Sequence, residues 1–217
     1  MALPGRILLA REGWVHCLLA LLLAVMVHWL SGPWMAAPFW LILVFVVQFF
    51  RDPHRDIPDI ENGVIAPADG KVVFLGEVED PFLSRKAFKI SIFMNVFSVH
   101  ANRAPVGGRV KEIWYHSGKF FNAVLDKASK ENERNAVWVE DENGRDVVFV
   151  QIAGLIARRI LCYSSVGDQL RAGDRYGFIR FGSRVDLYLP FGAQAEVSLG
   201  DTVYSGSDII ALLPQSI

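Results

Sequence analysis

Apolar positions divide the chain into two parts with different patterns. From Trp14 to Leu30, and again from Trp34 to Phe50, no residue is Asp, Glu, Lys or Arg, and Ser31-Gly32-Pro33 separates the two runs. Each run has 17 residues, close to the lower limit for a helix that spans a bilayer. The pattern predicts that residues 1–50 form a membrane anchor of two apolar helices joined as a hairpin.

Arginines flank this predicted anchor. Arg6 and Arg11 precede the first run, and Arg51 and Arg55 follow the second. By the positive-inside rule, both ends and the rest of the chain are predicted on the cytoplasmic side of the inner cell membrane. Two alternatives stay open: shallow re-entrant helices, or a signal peptide cleaved near Met35-Ala36-Ala37 and followed by a core helix.

After residue 50 the apolar runs become short, β-branched or aromatic, and Pro or Gly separates them. This pattern predicts a linker at residues 51–62. For residues 63–217 it predicts one mainly β (β-rich α+β) domain, a compact antiparallel barrel-sandwich. Asp141-Glu142-Asn143-Gly144 is a hairpin-turn signal. The predicted strands are Lys71–Val78, Ala87–Met94, Arg109–Tyr115, Ala136–Glu140, Asp146–Ile152, Arg175–Phe181 and Val185–Leu189.

Composition excludes some classes of function. The 217 residues are 52% hydrophobic and carry a net charge of -1, which argues against a nucleic-acid partner. The two cysteines, Cys17 and Cys162, form no Cys-x-x-Cys or Cys/His ligand spacing. We therefore predict no metal site.

Four segments carry candidate chemistry, and each alone has an ordinary explanation. Asp69-Gly70 is a common turn, His100 lies among apolar residues as core histidines do, and paired arginines such as Arg158-Arg159 usually face solvent. Gly182-Ser183 by itself is uninformative. Their order along the chain is more specific than any one of them.

In their order and in their residues, these segments resemble the short, single-domain form of the phosphatidylserine decarboxylases. The resemblance runs from Phe49-Phe50-Arg51-Asp52-Pro53 to the C-terminus. It includes Gly177-Phe178-Ile179-Arg180-Phe181-Gly182-Ser183-Arg184, and so many matches in one order are highly specific. Further matches are Gly118-Lys119-Phe120, Asn132-Glu133-Arg134-Asn135, Gln151-Ile152-Ala153-Gly154 and Ala157-Arg158-Arg159-Ile160.

The resemblance implies a self-cleaving proenzyme. Ser183 would attack the carbonyl of Gly182, giving chains 1–182 and 183–217 that stay together as a heterodimer, and would become a pyruvoyl group. His100 matches the base of self-cleavage, and Asp69 matches the residue that orients it. A serine hydroxyl needs such a base, and glycine before it leaves room for the attack.

The implied reaction is decarboxylation of phosphatidylserine to phosphatidylethanolamine through a Schiff base with the pyruvoyl group, without metal or pyridoxal phosphate. Arg158 or Arg159 would hold the phosphate or carboxylate of the substrate. The longer bacterial enzymes have a further histidine at the position of Phe97, so its role in proton transfer must fall to another group, either His100 or water, with His100 as the first candidate. The membrane anchor suits a diacyl lipid substrate.

Three other functions stay open. A membrane-anchored serine hydrolase could use Ser183, His100 and Asp69, but the G-x-S-x-G pattern is absent around Ser183. A biotinyl-like carrier or adaptor needs a modifiable lysine at a hairpin tip, and Lys71 lies just past a turn. A relative of the family could act on another phospholipid or on a soluble amino acid.

Overall fold

The computed structural model describes residues 7–118, 131–154, 160–180 and 183–215, and divides the chain into two compact units, residues 1–54 and 55–217. Most of the second unit is antiparallel β structure, which confirms the predicted fold class. Each unit is described by itself.

The first unit is a helical hairpin. Helix α1, Trp14–Phe49, follows a 3-10 turn at Arg11–Gly13 and is interrupted at Gly32, whose φ of 82° suits glycine alone. Strands β1 (Ile7–Leu9) and β2 (Arg51–Pro53) pair antiparallel across its two ends. An unbroken helix of 36 residues would be about 54 Å long, so this pairing requires the chain to reverse at Gly32.

Apolar side chains cover the hairpin on all sides. Trp29 and Trp34, beside the reversal, are 83% and 90% exposed, while the small residues Ala24 and Ala36 are fully buried. Small buried residues are typical of helices that approach closely in a membrane. The segment Arg11–Phe49 is long and apolar enough to cross a membrane, and an 18-residue window within it has a mean hydropathy of 1.9. A helix that is apolar on every face is stable only in an apolar surrounding.

In the described residues of the second unit, the remaining strands form three antiparallel sheets. The main sheet has the order β11-β7-β8-β9-β13-β5-β4-β15, and two smaller sheets have the orders β10-β12-β6 and β14-β16-β3. The strands are β3 Gly63–Ile65, β4 Gly70–Asp80, β5 Arg85–Met94, β6 Ala101–Arg103, β7 Gly108–His116, β8 Arg134–Glu140, β9 Asp146–Ile152, β10 Ile160–Cys162, β11 Gln169–Leu170, β12 Arg175–Ile179, β13 Ser183–Pro190, β14 Gln194–Ala195, β15 Thr202–Val203 and β16 Ile209–Leu212.

Each of the seven predicted strands overlaps an observed one, and the short strands β3, β6, β10, β11 and β14–β16 were not predicted. The predicted turn between β8 and β9 is also present. The Asp141 N–H donates to the Arg145 carbonyl at 3.0 Å, and Gly144 has a φ of 74°. Long apolar runs predict strands well, whereas two- and three-residue strands depend on distant partners.

The two faces of the main sheet cover different clusters. Val185, Leu187 and Leu189 of β13 belong to the larger hydrophobic core, and Tyr188 belongs to a second cluster on the other face. Period-two alternation explains the division, since successive side chains in a strand point to opposite faces. We call these the core face and the outer face.

One row of paired residues crosses seven strands of the main sheet. The row is His116, Arg134, Ile152, Arg184, Phe93, Lys71 and Thr202. The start of β13 and the end of β5 lie one residue beyond it, where Ser183 pairs with Met94. We call this end of the sheet the Ser183 edge.

Candidate active site

Ser183 is the first residue of a central strand. It is fully buried and pairs with Met94 of β5, and the ladder between β13 and β9 begins one residue later, at Arg184. Its hydroxyl donates to the Met94 thioether, with Oγ and Sδ 3.2 Å apart. Sulfur is a weak acceptor, so this contact holds the hydroxyl in place without a strong bond. A substrate outside the protein cannot reach Ser183 in this state.

Neutral amides extend this contact into the core. The Asn102 amide donates to the same Met94 sulfur at 3.7 Å, and the Gln151 amide donates to Asn102 Oδ1 at 2.9 Å. Asn135 donates to Gln151 Oε1 at 3.3 Å. All of these side chains are buried. A buried amide needs hydrogen-bond partners, so the network fixes the orientation of each of its members.

Gly177 provides the space for this network. A Cβ at this position would lie 2.5 Å from Gln151 Nε2 and 2.6 Å from the Leu161 carbonyl oxygen. No side chain fits there without displacing the Gln151 amide. Close packing therefore explains why the Gly177-Phe178-Ile179 motif begins with glycine.

His100 lies beside the same network. It is fully buried, and its carbonyl accepts the Ile179 N–H at 3.2 Å, which continues the pairing of β6 with β12. Side chains two positions apart in an extended chain point the same way. His100 therefore faces the same side as Asn102, whose amide reaches Met94. Its ring centroid lies 6.3 Å from that of Phe178.

Asp69 approaches from the other side of β6. The Ile65 N–H donates to the Pro105 carbonyl and the Arg103 N–H donates to the Pro67 carbonyl, an antiparallel register. Continued by one step, this register brings Asp69 opposite Ala101, next to His100 in the chain. Strand register therefore places Asp69 next to the segment that carries His100, and Asn102 of β6 reaches Met94, the residue paired with Ser183.

The Asp69 carboxylate is tightly held. Arg55 Nη2 donates to both of its oxygens, at 3.0 and 2.8 Å, and the Ser205 N–H donates to Oδ1 at 2.8 Å. Asp69 is 5% exposed, so these charge-assisted bonds form in a largely dry environment. Arg55 comes from the stretch that the sequence indicated as a linker, and its role was missed.

Sequence reasoning also missed Met94, Asn102 and Gln151. A glutamine in the apolar strand Val147–Ile152 was a usable signal, because a buried amide needs a partner. The Arg55–Asp69 pair gave no signal, because a contact between residues fourteen positions apart depends on the path that the chain takes between them.

The outer face of β13 carries charge instead. Arg184 Nε lies 2.8 Å from Asp186 Oδ1, and Lys89 Nζ lies 2.9 Å from Asp186 Oδ2. The side chain of Asp186 is fully buried and that of Arg184 is 3% exposed. A cavity of about 800 Å³ lies on this face, lined in part by Lys89, Asp186 and Tyr188. The cavity and the Ser183 hydroxyl are on opposite sides of the sheet.

Burial changes the acidity of three groups in this unit. It raises the pKa of Tyr188, and the nearby Asp186 and Asp80 carboxylates raise it further. Burial also raises the pKa of Tyr176 well above its ordinary value, and raises that of the Cys162 thiol. All three groups are therefore neutral near pH 7.

Several predicted residues lie outside the described part of the chain. Gly182, Arg158 and Arg159 are among them. Phe97, which replaces a histidine of the longer enzymes, is 64% exposed. Among residues 7–118, 131–154, 160–180 and 183–215, no cluster of three or more His, Cys, Asp or Glu side chains could hold a metal ion.

Comparison with known proteins defines the class. The family model described as phosphatidylserine decarboxylase matches residues 42–211, and the chain belongs to this family. Its relatives include proteins named phosphatidylserine decarboxylase proenzyme from Burkholderia cenocepacia (strain J2315), Burkholderia vietnamiensis (strain G4) and Burkholderia multivorans (strain ATCC 17616). Each is 55% identical over 208 residues, covering 96% of this chain and 97% of the relative.

Proposed function

We propose that this chain is a membrane-anchored proenzyme that cuts itself between Gly182 and Ser183 and then decarboxylates phosphatidylserine to phosphatidylethanolamine and CO2. It is a carbon–carbon lyase of the phosphatidylserine decarboxylase family. The observation that carries the proposal is the burial of Ser183, at the start of a central strand, at the same edge as His100 and Asp69.

Self-cleavage needs only the chain's own groups. His100 takes the hydroxyl proton of Ser183, Oγ bonds to the Gly182 carbonyl carbon, and His100 passes the proton to the Ser183 nitrogen as the C–N bond breaks, which converts the amide to an ester. Loss of the Ser183 Cα proton then breaks the Cβ–Oγ bond. Gly182 leaves as a carboxylate and residue 183 becomes dehydroalanine. Its enamine tautomerises, and water releases ammonia and leaves a ketone.

The arrangement fits a pyruvoyl group at residue 183. When present, this group serves as an electron sink for decarboxylation of an amine-bearing substrate. The strands β5 and β9 keep the new chain end in place, and the neutral amides beyond Met94 satisfy one another without a fixed charge. Asp69 orients His100, and Arg55 holds Asp69 in turn.

His100 also returns a proton to the substrate carbon after CO2 leaves, because Phe97 has no titratable group. Arg158 or Arg159 binds the phosphate or carboxylate of the substrate. Ile160, the residue that follows Arg159, supports this assignment, since it pairs with Ile179, whose N–H donates to the carbonyl of His100. A guanidinium suits either anion.

The helical hairpin anchors the enzyme in the inner cell membrane with the catalytic unit on the cytoplasmic side. The exposed apolar surface of α1 supports the anchoring, and the arginines outside both helices support the orientation. A diacyl lipid rarely leaves the bilayer, so an anchored enzyme meets its substrate where the substrate lies.

Intact-mass analysis of the full-length protein tests the proposal. We expect two chains, 1–182 and 183–217, the short one beginning with a ketone in place of an amine. Ser183→Ala should stay uncut and inactive, because the nucleophile is lost. Ser91→Ala is the matched control, since Ser91 is also buried on the same sheet, and it should be cut normally.

A single uncut chain would refute the proposed self-cleavage, and hydrolysis of an ester substrate by that uncut chain would favour a serine hydrolase. Two chains that release no CO2 from phosphatidylserine vesicles would keep the self-cleavage and favour a different substrate.

A further inference from the structure

A large aromatic side chain is displayed at the Ser183 edge. Phe97 lies in the turn after β5, three residues beyond Met94, and is 64% exposed. The Phe97 N–H donates to Asn95 Oδ1 at 2.8 Å, and the Ser98 N–H donates to the Asn95 carbonyl at 3.1 Å. These bonds fix the backbone of the turn and hold the ring outward. Exposed apolar surface indicates a partner when several such side chains lie at one edge of a domain.

A second exposed ring lies at the same edge. Tyr204 follows β15, whose Val203 pairs with Gly70, and is 51% exposed. The Arg55 guanidinium lies 5.8 Å from the centroid of its ring and also binds Asp69. Lys71, in the row that defines the edge, is exposed to solvent. The aromatic surface therefore adjoins the candidate active site and carries cations.

We propose that Phe97 and Tyr204, with Lys71 beside them, form a rim that rests on the surface of an anionic bilayer and turns the Ser183 edge toward the lipid headgroups. The inference rests on the proposed function, since it assumes a substrate that stays in the membrane. Aromatic rings favour the headgroup region, and a lysine near the surface is attracted to anionic lipids.

The opposite end of β13 also has an exposed aromatic ring near a lysine, but this pair is far from Ser183. Phe191 follows β13, is 53% exposed, and has the Lys86 ammonium 5.9 Å from its ring centroid. It lies eight residues beyond Ser183, roughly 27 Å along an extended strand. An exposed phenylalanine and a lysine are therefore present near both ends of β13. Only the pair in the rim, Phe97 and Lys71, lies at the edge that carries Ser183.

The test compares one enzyme on two forms of its substrate. Mature full-length protein is assayed on vesicles of phosphatidylserine and phosphatidylcholine, and on monomeric dihexanoyl phosphatidylserine. For Phe97→Ser we expect the ratio of vesicle activity to monomer activity to fall about five- to tenfold, as befits the loss of a partly buried ring. Phe97→Leu should keep most of the ratio.

Phe191→Ser is the matched control and should leave the ratio unchanged. Tyr204→Ser is a second variant and should lower it. An unchanged ratio for both Phe97→Ser and Tyr204→Ser would overturn the inference. Equal losses on both substrate forms would also overturn it, because they would place Phe97 in the chemistry. Wild-type protein that is uncut, or inactive on both forms, would refute the proposed function instead.

Discussion

Strand β13 presents neutral polar groups on its core face and charged groups on its outer face. On the core face the Ser183 hydroxyl contacts a thioether, and amides continue the network. One residue along, Arg184 begins a buried cluster of two cations and one carboxylate. The two clusters are adjacent in the chain and differ completely in electrostatics.

The difference suggests separate roles for the two faces of β13: the core face serves the reaction, and the outer face holds the strand in place. A fixed charge beside a nucleophile or a base favours one of its protonation states, whereas an amide orients its neighbours without that bias. The amides therefore orient Ser183 without this bias, and in the proposed mechanism the charged partner of His100 is Asp69, which Arg55 holds. A buried ion cluster resists rearrangement, because removing one partner leaves an uncompensated charge. The outer face therefore holds the strand end in place while bonds change on the other side.

The largest effect is expected from the core face. His100→Gln removes the base, and we expect the rate of self-cleavage to fall a hundredfold or more, within the range of about 10² to 10⁴ typical of general base catalysis. Gel analysis of newly synthesised chains over time measures this rate. His116→Gln is the control, because His116 is an exposed histidine in the row at the same edge, and it should be cut at the wild-type rate.

A loss of cleavage in His100→Gln that is explained by unfolding would not support this role. The variant must therefore show wild-type resistance to proteolysis. A folded variant that is cut at the normal rate would remove His100 from the mechanism.

The next effect concerns the outer face and should appear in stability. Asp186→Asn leaves the Arg184 and Lys89 cations without their carboxylate, and the free energy of unfolding should fall by about 3–5 kcal/mol. Urea unfolding in detergent micelles measures it. Glu140→Gln breaks the exposed Lys111–Glu140 pair of the same sheet, 3.0 Å long, and should cost less than about 1 kcal/mol. Equal losses in the two variants would contradict the distinction between the faces.

The smallest effect is expected at alkaline pH. Since the folded state raises the pKa of Tyr188, it binds that proton more tightly than the unfolded chain, whose tyrosines titrate near pH 10. Stability is then unaffected below about pH 9 and falls as the pH rises above 10, by about 1.4 kcal/mol per pH unit for each such group. Tyr188→Phe should flatten this slope in urea unfolding series. An unchanged slope would show that the outer face does not perturb this group.

Local signals in the sequence were sufficient for part of this architecture. The charge-free runs and Ser31-Gly32-Pro33 predicted two helices and their break, and the apolar run from Val147 to Val150 predicted a buried strand. Asp69, His100 and Ser183 were selected by their order in a family pattern, and their roles stay predictions.

The division between the faces of β13 could not be predicted. It depends on register between strands far apart in the chain, such as the pairing of Ser183 with Met94 and of Asp186 with Ser91. Arg55 was missed for the same reason. Arg55 reaches Asp69 because of the path that the chain follows at the start of the second unit. Nothing in the neighbouring sequence specifies that path.

The position of β13 in the middle of the main sheet has a consequence for the lifetime of the enzyme. Residues 183–217 supply this central strand, one edge strand of the main sheet and two strands of a smaller one. After the proposed cut, the short chain cannot exchange without unfolding the long one. Each translated polypeptide then yields one reactive group that is never replaced, so a cell restores lost activity only by new synthesis.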